Sequence, residues 1–202
     1  MTSDVKNTNI RPDFAIITNW VGPNTKVLDL GCGDGTLLSH LHTRLNTTGY
    51  GIEKDDDNWL AAQKNGVDVI QMNLEDGLSG FEDQSFDTVI LSQTLQAMHN
   101  TESIVQEMLR VGREIVVTFP NFGYWRNRIQ ITLGIMPVSK SLPYQWYDTP
   151  NVHLCTIHDF DEFCRRHQIQ IIERKVLTEG KDVSLLPNLM GNLAMYRLKR
   201  SS

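Results

Sequence analysis

Residues 27–38 read Val-Leu-Asp-Leu-Gly-Cys-Gly-Asp-Gly-Thr-Leu-Leu, and this stretch decides the fold. An apolar run (Val27, Leu28, Leu30) leads into glycines at alternate positions, Gly31, Gly33 and Gly35. Apolar residues resume in Leu37, Leu38 and Leu41, now at helical spacing. The pattern predicts a buried strand that turns sharply into a helix, with little side chain at the turn. Such a turn lets a ligand lie against main-chain atoms at a helix N-terminus.

The residue types in the loop choose between ligands. A dinucleotide loop reads G-x-G-x-x-G, but here the third glycine comes one residue early, and Thr36 holds its place. Asp29 and Asp34 would repel a pyrophosphate. They would attract a ligand carrying an amino group and a sulfonium, such as S-adenosylmethionine. Gly49-Tyr50-Gly51-Ile52 predicts a second strand ending in Glu53, at the spacing where an acid accepts from ribose hydroxyls. Lys54 follows at the same edge. A plain tight turn, and a solvated charge run over residues 53–57, are the structural alternatives.

The chain has 202 residues, is 40% hydrophobic and 21% charged, and carries a net charge of −5. That suits one folded domain and gives no electrostatic footprint for nucleic acid. Cys32, Cys155 and Cys164 are scattered and odd in number, so no disulfide framework is expected and a cytoplasmic setting fits. Residues 1–10 are polar, lack an apolar signal core and are expected to be a flexible terminus ahead of one domain over 11–202. No apolar run is long enough to span a membrane.

Around the glycine loop, strands alternate with helices. A helix is expected from Pro12-Asp13, with Ile16, Ile17 and Trp20 against the sheet and Asp13 favouring the helix dipole. Trp59, Leu60 and Ala62 mark another helix. Further strands are expected at Val67–Met72, Phe86–Leu91 and Ile115–Phe119, and a helix carries Ile104, Met108 and Leu109. Thr156 is placed to cap a helix with Ile157, Phe160 and Phe163. Two closing strands, Ile169–Val176 and Leu193–Leu198, are separated by more than a tight hairpin. The order predicts an α/β, Rossmann-like fold with helices on both faces of a mostly parallel sheet.

Ligands in such sheets bind beyond the carboxyl ends of the strands. That nominates Asn73, Leu74 and Glu75 for an adenine, and Ser92, Gln93 and Thr94 for the amino-acid end of the ligand; capping is the alternative for all six. The motif [DNS]-P-P-[YFW] of amino-methylating enzymes is replaced by Ser92-Gln93-Thr94-Leu95, which disfavours DNA amino-methylation. From Ile115 to Tyr147 there is no Asp or Glu, whereas Arg126, Arg128, Lys140 and seven aromatics (Phe119, Phe122, Tyr124, Trp125, Tyr144, Trp146, Tyr147) are present. Residues 120–155 therefore suit a substrate lid, a protein interface or an inward-packed subdomain. Three dispersed cations make a thin groove for single-stranded nucleic acid. The histidines form no metal pattern; His40 and His42 point to different faces of a helix. His99 is the best-placed acid–base candidate, and Cys32 reads as a small filler.

The glycine motif with its later acid resembles the class I S-adenosylmethionine-dependent methyltransferase fold. Beyond it, residues 11–199 resemble the MetW family of methionine biosynthesis proteins. The resemblance rests on Arg11-Pro12-Asp13, Leu28–Gly35, Ile90–Met98, Phe119–Gly123 with Trp125-Arg126, Leu142–Asn151 and His153–Thr156. It implies a seven-stranded sheet with one antiparallel strand and an insertion after strand five. It also implies a role beside a MetX-type homoserine O-acyltransferase, as partner and activator. Ligand contacts implied for S-adenosylmethionine or S-adenosylhomocysteine fall on Asp29, Gly31, Gly33, Glu53 and Gln93. Asn73 departs from the family's usual Asp, which puts the adenine-side contact in doubt. No methyl acceptor is implied. Three functions stay open: a ligand-binding partner of the acyltransferase, a true methyltransferase, and an interaction protein with a non-functional cleft. Oligomeric state, including a homodimer, is equally open.

Overall fold

A computed structural model describes residues 11–201; the expected flexible segment 1–10 lies outside the described residues. Helix α1 (Pro12–Trp20) precedes β1 (Lys26–Leu30), α2 (Thr36–Leu45), β2 (Thr48–Glu53), α3 (Asp56–Lys64) and β3 (Val69–Gln71). After a 3-10 turn at Leu74–Asp76 come β4 (Phe86–Ser92), a second 3-10 turn at Leu95–Ala97, α4 (Thr101–Val111) and β5 (Gly112–Pro120). Then follow α5 (Trp125–Thr132), α6 (Ile157–Arg166), β6 (Ile169–Thr178), β7 (Lys181–Asp182), α7 (Pro187–Met190) and β8 (Leu193–Arg200).

The strands form one sheet in the order β3-β2-β1-β4-β5-β8-β6-β7. β1 to β5 are mutually parallel, and β8 runs antiparallel between β5 and β6. The sheet has eight strands, one more than the resemblance implied. The addition is β7, a two-residue edge strand that turns back on the end of β6. It occupies part of the long β6–β8 connection together with α7, and two residues leave no period to read in sequence. β3 is shorter than the expected Val67–Met72, because the amide of Val67 is taken by the Ala62 carbonyl at the end of α3.

Adjacent strand residues serve opposite faces, as continuous apolar strands in a covered sheet require. Val27, Ile90 and Val116 pack with Phe14, Ile17, Trp20, Leu38 and Leu41 of α1 and α2. Leu28, Val89, Leu91, Val117 and Phe119 pack with Met108 of α4 and Phe160 of α6. Helix α6 starts where Thr156 predicts. Its side chain accepts from the Asp159 amide while Asp159 accepts from the Thr156 amide, a reciprocal capping box. The chain order reverses between β1 and β4. The loops after those two strands therefore diverge and leave a crevice.

Candidate functional site

The crevice holds two adjoining cavities that share Gly31. The larger, about 490 Å³, lies between Glu53, Asn73–Glu75, Thr94 and the Ala97–His99 turn, with Pro150 and Val152 opposite. The smaller, about 330 Å³, lies between Arg11, Phe14, Asp29, Cys32–Asp34 and Ser92. Gly31, Gly33 and Gly35 all have positive φ, at 69°, 56° and 74°. A Cβ on Gly31 would come within 2.9 Å of Thr94 Oγ1, whereas one on Gly33 would meet nothing within 4 Å. Gly33 thus leaves open space over the crevice, and Gly31 lets the β4 loop come close. Gly35 serves the helix instead. Its Cα faces Val67 and Ala62, and it starts α2 without lining either cavity.

The loop amides are largely committed within the protein. Gly31 and Cys32 donate to the Ile52 carbonyl at 2.8 and 3.0 Å, and Gly33 donates to Glu53 Oε2 at 2.9 Å. Gly35 donates to the Cys32 carbonyl, and Thr36 donates to Asp34 Oδ1, both at 3.0 Å. Little is left of the amide cradle that a pyrophosphate needs. Asp34, expected to attract the ligand, also accepts from the Thr36 hydroxyl at 2.6 Å and so braces the helix start while bordering the smaller cavity.

Acceptors mark both ends of the crevice. Glu53 is buried at the end of β2, and its Oε1 accepts from the Lys54 and Asp55 amides at 2.8 and 2.9 Å. These bonds, with that from Gly33, hold the carboxylate still beside the larger cavity, where Lys54 also stands. Asp29 is 2% exposed, and its Oδ1 has no hydrogen-bond partner among the described residues. Burial pushes its pKa up to about 7, against the pull of the Arg11 guanidinium, and the nearby Glu53 charge adds to the rise. An orphaned, buried carboxyl oxygen beside a cavity is costly unless a ligand donor satisfies it.

At the other end, Leu74 gives an apolar wall, and Asn73 Oδ1 caps the 3-10 turn through the Glu75 amide at 3.2 Å. Glu75 Oε1 accepts from the His99 amide at 2.8 Å, while its buried Oε2 is without a partner among the described residues. Glu75 is thus an available acceptor where Asn73 departs from the family pattern. Ser92 Oγ accepts from Arg11 at 2.8 Å and lines the smaller cavity. Gln93 lines neither cavity: it sits in the left-handed region at φ 55°, and its side-chain amide donates to Asp13 Oδ2 at 3.4 Å. Cys32 packs over Gly51, where a Cβ would fall 2.4 Å from its sulfur. Burial pushes its thiol up to about 12, which removes it as a nucleophile.

In sequence, Arg11 and Asp13 stand out only as helix-start and family-string residues, and Phe14 carries no signal, yet all three shape the smaller cavity. Asp13 is 1% exposed and pairs with Arg11, whose Nη2 lies 2.5 Å from its Oδ2. It therefore organises the site rather than merely favouring the dipole of α1. The clue available in sequence was an Arg-Pro-Asp string bearing two charges ahead of an apolar face. Pro150 and Val152, within the 120–155 segment expected as a lid or interface but not singled out in it, also line the larger cavity, as do Ile52, Met72, Ala97 and Met98. Pro150 and Val152 arrive because the Val152 and His153 amides both donate to the Gln96 carbonyl, at 2.8 and 3.0 Å. Among the described residues no group of three His, Cys, Asp or Glu side chains is set to hold a metal, and no helix is long and apolar enough to cross a membrane.

The family model for methionine biosynthesis protein MetW matches residues 11–198. The chain belongs to the MetW family. A relative in Rhodopirellula baltica, the bifunctional methionine biosynthesis protein MetXA/MetW, is 39% identical over 171 residues. The match takes in 80% of this chain and 27% of that relative, so the chain spans only about a quarter of its length. Among solved structures, a SAM-dependent methyltransferase from Archaeoglobus fulgidus superposes with TM-score 0.69 at 14% identity, over 93% of each chain. The [4+2]-cyclase SpnF superposes with TM-score 0.67 at 16% identity, over 94% of this chain and 80% of its own. This MetW chain therefore has the Rossmann-like methyltransferase fold. The cyclase shows that the fold alone does not specify methyl transfer.

Proposed function

We propose that this chain binds S-adenosylmethionine or S-adenosylhomocysteine in the crevice and acts as partner and activator of a MetX-type homoserine O-acyltransferase in the cytoplasm. The observation that carries the ligand reading is the orphaned Asp29 carboxyl facing one cavity while Glu53 is fixed beside the other. In this reading Asp29 meets the ligand's ammonium, Ser92 and Arg11 border its amino-acid end, and Glu53 takes the ribose hydroxyls. Leu74 packs the adenine, and Glu75 Oε2 accepts from its exocyclic amine. The committed loop amides disfavour a dinucleotide. When bound, S-adenosylmethionine would supply a sulfonium methyl group, which S-adenosylhomocysteine lacks. The residues described hold and orient it.

The partner reading is supported by the relative whose name joins MetXA to MetW in one chain. The segment 120–155 supports it too, because it divides its work. Its end lines the larger cavity with Pro150 and Val152, and its middle leaves large apolar side chains exposed. One observation favours true methyl transfer instead: an apolar cavity of about 230 Å³ behind the Leu95–Ala97 turn, walled by Leu95, Phe119, Phe160 and Phe163. Initial rates of the acyltransferase, measured with and without this chain and across a titration of S-adenosylmethionine, test the reading. Activation by the chain that responds to the ligand is expected. Rates indifferent to the chain would remove the partner role, and methylation of a small acceptor would favour the enzyme.

A further inference from the structure

Helix α5 and the turn after it carry apolar side chains that are exposed among the described residues. Among its residues only Asn127 is buried. Asn127 donates to the carbonyls of Asn121 and Phe122, each at 3.3 Å, and Arg128 Nε donates to the Gly123 carbonyl at 2.6 Å. These bonds pin the start of the helix. Its end and the following turn present Ile129, Ile131, Leu133, Ile135 and Met136, with Leu133 69% and Ile135 56% exposed. A cluster of exposed apolar residues of this size marks an interaction site.

The surface is also shaped in advance. Gln130 accepts from the Val138 amide at 3.1 Å and donates to the Val138 carbonyl at 3.3 Å, closing the turn around its own side chain. The Ile135 amide adds a bond to the Gln130 carbonyl at 2.9 Å. A pre-formed surface loses little conformational entropy on docking.

Charge narrows the partner. The stretch from Ile115 to Tyr147 has no carboxylate in a chain of net charge −5, and Arg126, Arg128 and Lys140 are exposed in it. A two-fold contact between copies would bring these cations together with no acid from the same segment to offset them. A different polypeptide, with an apolar centre rimmed by carboxylates, meets both requirements.

We propose that the Ile129–Met136 face is where the homoserine O-acyltransferase docks, through an apolar patch ringed by Asp and Glu. This rests on the partnership proposed above. In the bifunctional relative, the matching region occupies 27% of a chain whose name also carries MetXA. A tether of that kind raises the effective concentration of the two parts for each other.

The test is calorimetric titration of the acyltransferase with the full chain, the variants Leu133→Asp and Ile135→Asp, and Leu60→Asp on the exposed side of α3 as control. Circular dichroism confirms that each is folded. The two patch variants are expected to weaken the complex at least tenfold, and the control to bind as the unmodified chain does. Lys140→Glu, at an exposed cation that pins nothing among the described residues, is expected to weaken it as well, and added salt should do the same. A complex that survives both patch substitutions overturns the placement of the interface and leaves the partnership standing. No complex with the unmodified chain overturns the partnership and the interface together. A dimer of the chain alone that Leu133→Asp dissolves would assign the face to a second copy instead.

Discussion

Asp29 concentrates the chemistry of the site in one carboxyl group. Its ordinary pKa near 3.8 is raised to about 7 in the folded chain, chiefly by burial. The folded state thus holds its proton more tightly than the unfolded one. The stability this group contributes is full below its ordinary value and is lost as pH rises towards 7. Denaturant titrations of the ligand-free chain should show that loss, and Asp29→Asn should remove it. Ligand binding has the opposite sign, because an ammonium prefers the ionised form. Affinity for S-adenosylmethionine should therefore fall below pH 7 by up to about tenfold per pH unit, and Asp29→Asn should flatten that slope. Glu53 makes a second prediction. Its oxygens accept from three backbone amides, and Glu53→Gln would turn an NH2 towards one of them. A loss of about 1–3 kcal/mol in stability and at least tenfold in affinity is expected, read by denaturation and calorimetry.

At the scale of elements, the strand–loop–helix of residues 27–45 works because glycine sits at positive φ at Gly31, Gly33 and Gly35, and at Gly31 and Gly35 close neighbours add to the constraint. Gly51 is a case outside the loop that still involves a loop residue, since an added Cβ would lie 2.4 Å from Cys32 Sγ and 2.9 Å from its Cβ. Gly51→Ala is expected to cost about 1–3 kcal/mol by thermal denaturation, and the cost should shrink when Cys32→Ala is added, because the two side chains then compete less for one space. This element was legible in the sequence because its signals are local: alternate glycines, an apolar run, and the return of helical spacing. The capping box at Thr156 was legible for the same reason. The Arg11–Asp13–Gln93 contacts were not, because Gln93 lies 80 residues from Asp13 and its left-handed backbone carries no glycine or asparagine signature. β7 escaped for want of length.

Across the whole molecule, the sheet separates recognition from exposure. The switch in strand order between β1 and β4 opens the crevice, while the chain leaving β5 first builds the exposed α5 face and then returns to line the larger cavity with Pro150 and Val152. One segment thus borders both the crevice and the surface proposed for the acyltransferase. Lid, interface and inward-packed subdomain are the alternatives its composition allows, and its side chains are buried, exposed and crevice-lining in turn. Tyr124 and Leu142 are buried, Trp146 and Tyr147 are more than 70% exposed, and Val152 faces the crevice. Composition alone could not divide the segment, because aromatics serve a core and an interface equally well. Calorimetric titration of the purified full chain with S-adenosylmethionine decides whether the crevice is a binding site. One site per chain is predicted, with heat that is lost or strongly reduced in both Asp29→Asn and Glu53→Gln. Absence of binding heat in the unmodified chain across several temperatures, or binding indifferent to both substitutions, would contradict it.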